Sequence, residues 1–413
     1  MANEYLGTAD LKPWTAIWRN AKDFPKALSF SAAISGVLIV LVSIFGTGPI
    51  VLQAAKAGRF TDAQTTSWFL TMLVGSGIYA IYLSLRMRMP TAGAWCTPST
   101  ALLVTGLVNH KISDVVGAYL IASILIIAIG TFGWFERILL AVPRPVTMAM
   151  LAGILFSFGV DIFPAISKEP LIVLVMIATF FLGRRFHLRA PIIPSFIIGL
   201  VVAALSGRAH QPHLHIRVAT PVWVNPTFSV GALITLAIPL SLLILTSQFA
   251  PGMAVLTSNG YKAPTNRALV TGGLISLFSA PALNSGNNSA AISASLGATP
   301  QAEPDKTRRY TASTVSGIIY VAVGLLGTTY LGLLTSIPSA MLAALAGLAL
   351  LPAIASSTHE ALVDSQYREA ALVTLLITVS NIHFFKIGAP FWGLVGGVAV
   401  HQMVEYRNKK AAQ

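Results

Sequence analysis

Three clusters of uncharged polar residues interrupt the long apolar stretches of this 413-residue sequence. The first is Cys96, Thr97, Ser99 and Thr100, which follows Pro90-Thr-Ala-Gly-Ala-Trp95. The second is Ser247-Gln248, flanked by Phe249 and by the helix-breaking pair Pro251-Gly252. The third is Asn284-Ser285-Gly286-Asn287-Asn288-Ser289. Hydroxyls, a thiol and amides donate and accept hydrogen bonds, but they attack or abstract protons only when a neighbouring base activates them. No nucleophile–base pair or dinucleotide fingerprint accompanies these residues, and Gly46-Thr-Gly48 lacks the Gly-Lys-Ser/Thr that would make it a phosphate loop. The chemistry on offer is recognition of a polar ligand, with no catalytic residue and no cofactor.

The charged residues narrow the ligand. None of the fourteen Asp and Glu lies in the middle of an apolar run, and Asp114 and Asp161 stand at run ends. Lys and Arg are equally absent from the run centres. A carboxylate inside a membrane segment is the usual site for a cation or a transported proton. Without one, a cationic substrate is disfavoured, whereas helix N-termini alone can hold a small anion through their free N–H groups and positive dipole ends. The ligand class is therefore a small-molecule anion or a neutral polar molecule. His210, His213 and His215 form an H-x-x-H-x-H pattern whose spacing permits metal binding, but no Cys or carboxylate joins them, and no metal is expected. His359, His383 and His401 fall near helix ends and read as surface histidines.

The elements that must position these clusters follow from composition. Hydrophobic residues make up 55% of the chain, charged residues 10%, and the mean hydropathy is +0.74. A soluble domain carries roughly 25% charged residues. Soluble enzymes, nucleic-acid binders and disordered chains are excluded, and the partner of the surface is the lipid bilayer. The net charge of +13 is scattered through short loops, and the single cysteine, Cys96, excludes an intramolecular disulfide. Residues 1–26 read as a short amphipathic cytoplasmic segment, and the apolar run that follows is too long for a signal-peptide core and reads as a retained helix.

The apolar runs divide seven and seven about the polar stretch Ser206 to Ser229. An odd number per half obliges the second half to enter the membrane from the opposite side, which is the inverted-repeat plan of many secondary transporters. The expected fold is an all-α polytopic membrane protein of fourteen segments. Residues 27–206 form the first repeat, 207–229 an outside loop, 230–405 the second repeat and 406–413 a cytoplasmic tail. With the N-terminus inside, 20 of the 27 Lys and Arg fall on the cytoplasmic side, as the positive-inside rule requires, and both termini are cytoplasmic. The third and tenth segments are too short to span as helices and are expected to be half-helices. Thr97 before Pro98, and Asn287/Asn288, stand where their N-caps should be. A matched pair of interrupted segments is the best pointer in a sequence to a transporter's substrate site.

The stretch Ser247-Gln-Phe-Ala-Pro-Gly-Met-Ala-Val-Leu-Thr-Ser-Asn-Gly-Tyr261 resembles the BenE-type benzoate:proton symporters, and the likeness continues through Ala290-Ala-Ile-Ser-Ala294, the Glu303-Pro-Asp305 element and Arg308-Arg-Tyr310. That family is similar in turn to the uracil-permease fold. The resemblance implies a core domain of segments 1–4 and 8–11, a gate domain of segments 5–7 and 12–14, and a substrate held between segments 3 and 10. Acidic substrate contacts of uracil-permease relatives fall here on Gln248 and Asn287, both neutral amides. The resulting expectation is an inner-membrane secondary transporter that imports a small aromatic carboxylate, benzoate by resemblance, by proton symport with alternating access. A homodimer is compatible with this reading. The alternatives left open are a nucleobase or inorganic-anion carrier on the same fold, a passive anion channel and, in a different class, a membrane-embedded enzyme.

Overall fold

A computed structural model describes residues 12–188, 190–208, 217–384 and 387–405 of the chain. The three histidines of the H-x-x-H-x-H pattern lie outside these described residues. The protein is built almost entirely of helices. Among the described residues six are long and apolar enough to cross a membrane: Phe30–Ala57, Asp62–Met87, Ile112–Phe132, Arg144–Lys168, Val230–Ser258 and Ser339–Leu362. A seventh candidate is the pair Tyr310–Leu325 and Gly327–Thr335, bent by 77° at its break. The other runs expected to span are shorter helices, among them Pro170–Arg185, Ile192–Leu205, Thr265–Ser279, Arg368–Val379 and Ala389–Val400.

Local sequence sets where these helices start and stop. An amphipathic helix, α1 (Pro13–Ala27), precedes α2 (Phe30–Ala57), whose first turn is capped by the Ser29 hydroxyl accepting from the Ala32 N–H at 3.2 Å. Thr61 and Gln64 form a reciprocal capping box at the start of α3 (Asp62–Met87). Gly133 adopts φ +68° and closes α5 (Ile112–Phe132), with α4 (Thr97–Gly106) lying between α3 and α5. A short helix α6 (Phe135–Ala141) leads into α7 (Arg144–Val160), which starts inside Pro143-Arg-Pro145 as the prolines suggest.

Glycines bring the helices close. A Cβ on Gly36 would lie 2.7 Å from the Ala312 carbonyl oxygen, and one on Gly77 would lie 2.5 Å from that of Gly317. With lipid as apolar as the side chains, such close backbone approach is what holds membrane helices together. Tyr310–Leu325 thereby packs against both α2 and α3, and Thr265–Ser279 packs against α5. Ser339–Leu362 and Arg368–Val379 pack on α7, Ser339–Leu362 also packs on α2, and Ala389–Val400 packs on Arg368–Val379. A Cβ on Gly46, by contrast, would make only ordinary contact with Ala349, at 3.5 Å.

Two short strands complete the part of the fold that matters here. β1 (Gly93–Trp95) pairs antiparallel with β2 (Asn287–Ser289), with Gly93 opposite Ser289, Ala94 opposite Asn288 and Trp95 opposite Asn287. β1 runs straight into α4, and β2 runs into an eight-residue helix, Ala291–Ala298. Non-helical backbone at membrane depth survives only when it is buried in protein or lines a cavity, and all six strand residues are buried.

Candidate functional site

The antiparallel register places the two following helices on opposite ends of the strand pair. α4 departs beyond Trp95 and the eight-residue helix beyond Ser289, so their N-termini flank one small sheet and are separated by about three residues of strand, roughly 10 Å. Residues 96–100 and 286–289, far apart in sequence, thus share one place. The capping expectation is corrected in detail. Cys96 is the N-cap of α4, without a side-chain capping hydrogen bond, and Thr97 is already helical. Asn287 and Asn288 belong to β2, and the N-cap of the next helix is Ala290. Pairing with β1 holds the two asparagines extended, which keeps their amides off the helix N-terminus.

Because neighbouring residues of a strand face opposite ways, the two asparagines have different tasks. Asn287 faces α3, where its Nδ2 donates to the Met72 carbonyl at 2.9 Å and to Ser76 Oγ at 2.8 Å. Its Oδ1 accepts from Asn284 Nδ2 at 2.5 Å, and its backbone N–H donates to Ser276 Oγ at 2.8 Å. Asn284 in turn donates to Ser279 Oγ at 2.7 Å and accepts the Gly286 N–H at 3.0 Å, steadying a turn in which Gly286 has φ +129°. That φ is a conformation only glycine adopts readily. Gly75 and Gly272 make room for β2: a Cβ on Gly75 would collide with Asn287 Oδ1, and one on Gly272 would lie 2.5 Å from the Asn287 carbonyl oxygen.

Asn288 points the other way. Its residue is 3% exposed, yet neither Nδ2 nor Oδ1 has a hydrogen-bond partner. Ser99 Oγ, fully buried in the first turn of α4, is likewise unpartnered, and the Cys96 thiol lies close to both. A buried polar group without a partner costs about 1–3 kcal/mol, and here several gather at two helix N-termini. Thr100 belongs to the scaffold, its hydroxyl donating to the Cys96 carbonyl at 3.0 Å. Thr97 is half-buried, and Ser285 is buried in the turn before β2.

The helix α8 (Val230–Ser258) lies beside the sheet and carries the second polar cluster. Ile244–Phe249 within it is a π-helical turn, in which the Ala250 N–H bonds back to the Leu245 carbonyl. Pro251 explains the turn, since it has no N–H to offer and its ring crowds the preceding carbonyls. Ile244 abuts Gly286, and Gly252 abuts Ser289, where a Cβ would stand 2.9 Å from the hydroxyl. Gln248 sits midway between these two contacts, four residues from each, half-buried and with no hydrogen bond from its amide. Ser247 instead donates to the Leu243 carbonyl within the helix. The Phe249 ring is fully buried edge-on against Phe135, with centroids 5.3 Å apart, and packs the core. Ser289 lies next to the Tyr79 phenol.

Sequence reasoning missed Ser76, Tyr79, Ser276 and Ser279, which hold or back the strand pair. Their signal was polar residues inside apolar helices at three-residue spacing, hard to tell from the many hydroxyls that merely bond their own helix, as Ser241 does to Ala237.

The site elements carry no charge: Pro90–Gly106, Ser241–Leu256 and Asn284–Ala298 contain no Asp, Glu, Lys, Arg or His. What the arrangement can do is bind one small polar group between two helix N-termini, with amides and hydroxyls that no protein group satisfies. The family BenE, described as Benzoate membrane transport protein, matches residues 26–403.

The chain belongs to this benzoate membrane transport protein family.

Among its members, the chain is 37% identical over 373 residues to the Benzoate membrane transport protein of Acinetobacter baylyi, covering 90% of this chain and 95% of that one. It is 34% identical over 364 residues to Inner membrane protein YdcO of Escherichia coli, covering 88% of this chain and 93% of that one. The fold is similar to that of the transmembrane domain of a cyanobacterium bicarbonate transporter BicA, with a TM-score of 0.60 at 14% identity, covering 89% of this chain and 97% of that one. It is also similar to SLC26A9, with a TM-score of 0.57 at 15% identity, covering 90% of this chain and 65% of that one. The protein is thus a multi-pass inner-membrane transport protein of the benzoate transport family and not an enzyme.

Proposed function

We propose that this protein imports benzoate together with a proton, by alternating access about the site between β1 and β2. The observation that carries the reading is Asn288, buried with both amide atoms unpartnered beside the unpartnered Ser99 hydroxyl. In this reading Asn288, Ser99 and Gln248 hold the carboxyl group. Cys96, Thr97, Ser285 and Gly286 line its surroundings, while Asn287, Thr100 and Ser289 position the two strands. Ser247 and Phe249 keep the π-turn of α8 in place. The substrate follows from the family and its Acinetobacter member.

The fold reading that goes with it has fourteen segments in two inverted repeats of seven. α4 and Ala291–Ala298 are the half-helices of segments 3 and 10. It is supported by the matched pair of strand-then-short-helix units, one in each half of the chain. Segments 1–4 and 8–11 form the core and segments 5–7 and 12–14 the gate. This is supported by the packing of Tyr310–Leu325 on α2 and α3 and of Thr265–Ser279 on α5, and by that of Ser339–Leu362 and Arg368–Val379 on α7, with Ser339–Leu362 meeting α2 where the two groups touch. Relative movement of the two groups would expose the site to each side in turn, with both termini cytoplasmic.

Counterflow in proteoliposomes tests the function. Vesicles loaded with unlabelled benzoate should draw in labelled benzoate against its gradient, and external unlabelled benzoate should compete while uracil and sulfate do not. A channel gives no counterflow, and counterflow blocked by uracil or sulfate would place the protein among the nucleobase or inorganic-anion carriers.

A further inference from the structure

Proton symport ordinarily uses an acidic or basic side chain inside the membrane, and the site elements contain no Asp, Glu, Lys, Arg or His. Asn288 stands on one face of β2 with Ala94 opposite it. The titratable groups near that face are the Cys96 thiol and, behind β2, the Tyr79 phenol. Both types keep their protons at neutral pH. α8 contributes only Gln248 and hydroxyls beside the sheet, and the eight-residue helix begins with Ala291-Ile292. α7, which packs against α4 and the π-turn, carries Arg144 at its first residue, exposed and paired with Glu360 at 2.6 Å.

The donor–acceptor pattern of the free groups supplies the answer. A primary amide presents one acceptor oxygen and a donor nitrogen side by side. A protonated carboxyl group presents the complementary pair, so its O–H donates to Oδ1 while its C=O accepts from Nδ2, closing a ring of two hydrogen bonds. The match holds whichever way the amide is turned. An ionised carboxylate has acceptors only and would set an anionic oxygen against Oδ1.

We propose that the coupled proton travels on the substrate itself: the occluded site holds the carboxyl group in its protonated form, paired with the Asn288 amide, and no side chain carries the proton. This rests on the reading of the protein as a proton-coupled benzoate carrier. The electrostatics agree with it. Burial favours the neutral form of a carboxyl group, and no cationic side chain in the site elements opposes this. The two helix N-termini oppose it with fractional charges, which compensate only part of the loss of hydration of a full anion. The balance is complete: benzoate and one proton combine on entering the site, benzoic acid crosses, and the two separate on release, with no other reactant.

Calorimetry on the full-length protein decides the matter. Benzoate titrated near pH 7, in two buffers of different protonation enthalpy, should take up one proton per molecule bound. Its affinity should fall about tenfold per pH unit between about pH 6 and about pH 8, as linkage requires when a proton binds with the ligand. Benzamide has the same donor and acceptor as the protonated acid and no charge. It should compete for the site with an affinity that does not change over that range. Asn288→Leu should lose both ligands with its melting temperature unchanged, and the wild-type measurements stand alone if this variant fails to fold. Benzoate binding that is independent of pH, without proton uptake and without competition by benzamide, would overturn the proposal and leave the benzoate reading intact. Failure of the wild-type protein to bind benzoate would overturn both.

Discussion

Asn287 and Asn288 are adjacent in β2, yet the first places its amide in hydrogen bonds to Met72, Ser76 and Asn284 while the second, equally buried, makes none. One builds the site and the other is available to a ligand. The difference comes from strand geometry, which turns successive side chains to opposite faces.

The pair should therefore separate in a mutational test. Asn288→Ala should keep the protein folded and weaken benzoate binding by about tenfold to a hundredfold, since a hydrogen bond to a charged or strongly polar group is worth roughly 1.5–3 kcal/mol. Asn287→Ala should lower the melting temperature, because it removes the buried hydrogen bonds to Met72, Ser76 and Asn284 that hold β2 against α3. Thermal melting and calorimetry on both variants check this. Equal effects of the two substitutions on binding and stability would contradict the division of labour.

Gln248 gives a second handle on the site. Its amide is half-buried and free, midway between the contacts of Ile244 with Gly286 and of Gly252 with Ser289. Gln248→Leu keeps the bulk and removes the hydrogen bond, and should weaken benzoate binding by about tenfold to a hundredfold. An unchanged dissociation constant in a folded variant would remove Gln248 from the site.

Gly75 has no room for a methyl group, because a Cβ there would collide with Asn287 Oδ1. Gly75→Ala should displace β2 and reduce transport at least as severely as Asn287→Ala. Gly46→Ala, whose Cβ meets only Ala349 at 3.5 Å, is the matched control and should transport normally.

Arg309 is buried and donates to the carbonyls of Ala298 at 2.8 Å, Glu303 at 2.6 Å and Pro304 at 3.3 Å. It thereby closes the C-terminus of the helix that follows β2. Lysine cannot reproduce this planar fork, so Arg309→Lys should destabilise the protein by about 1–3 kcal/mol. Denaturation in detergent would show it, and a variant as stable as the wild type would show that the cap is dispensable.

The orientation proposed for the chain is open to labelling. Thr307→Cys should react with an impermeant thiol reagent only in inverted vesicles, and Thr220→Cys only in right-side-out ones, with Cys96 buried in the background. The opposite pattern would invert the topology.

Much of this arrangement was legible in the sequence. The absence of charge from apolar runs and the two short interrupted segments pointed to residues 96–100 and 284–289. The Pro251-Gly252 pair marked the helix beside them. What the sequence hid was pairing: nothing local says that Gly93–Trp95 and Asn287–Ser289 meet as strands, because their register depends on contacts with α3 and Thr265–Ser279. For the same reason Thr97 and the asparagines looked like helix caps, and the roles of Asn287 and Asn288 could not be told apart. Ser76 and Ser276 were hidden among hydroxyls that serve only their own helices.

The most direct test of the account is uptake of labelled benzoate into proteoliposomes under an inward proton gradient, for the wild-type protein and Asn288→Leu side by side. The account predicts that the wild type takes up benzoate at an initial rate above that of protein-free vesicles, since one proton per benzoate gives the same final level as passive entry of benzoic acid and only the rate can differ. A protonophore should abolish the excess, and the folded variant should show none. A wild-type initial rate no greater than in protein-free vesicles, or an equal initial rate with the variant, would contradict it.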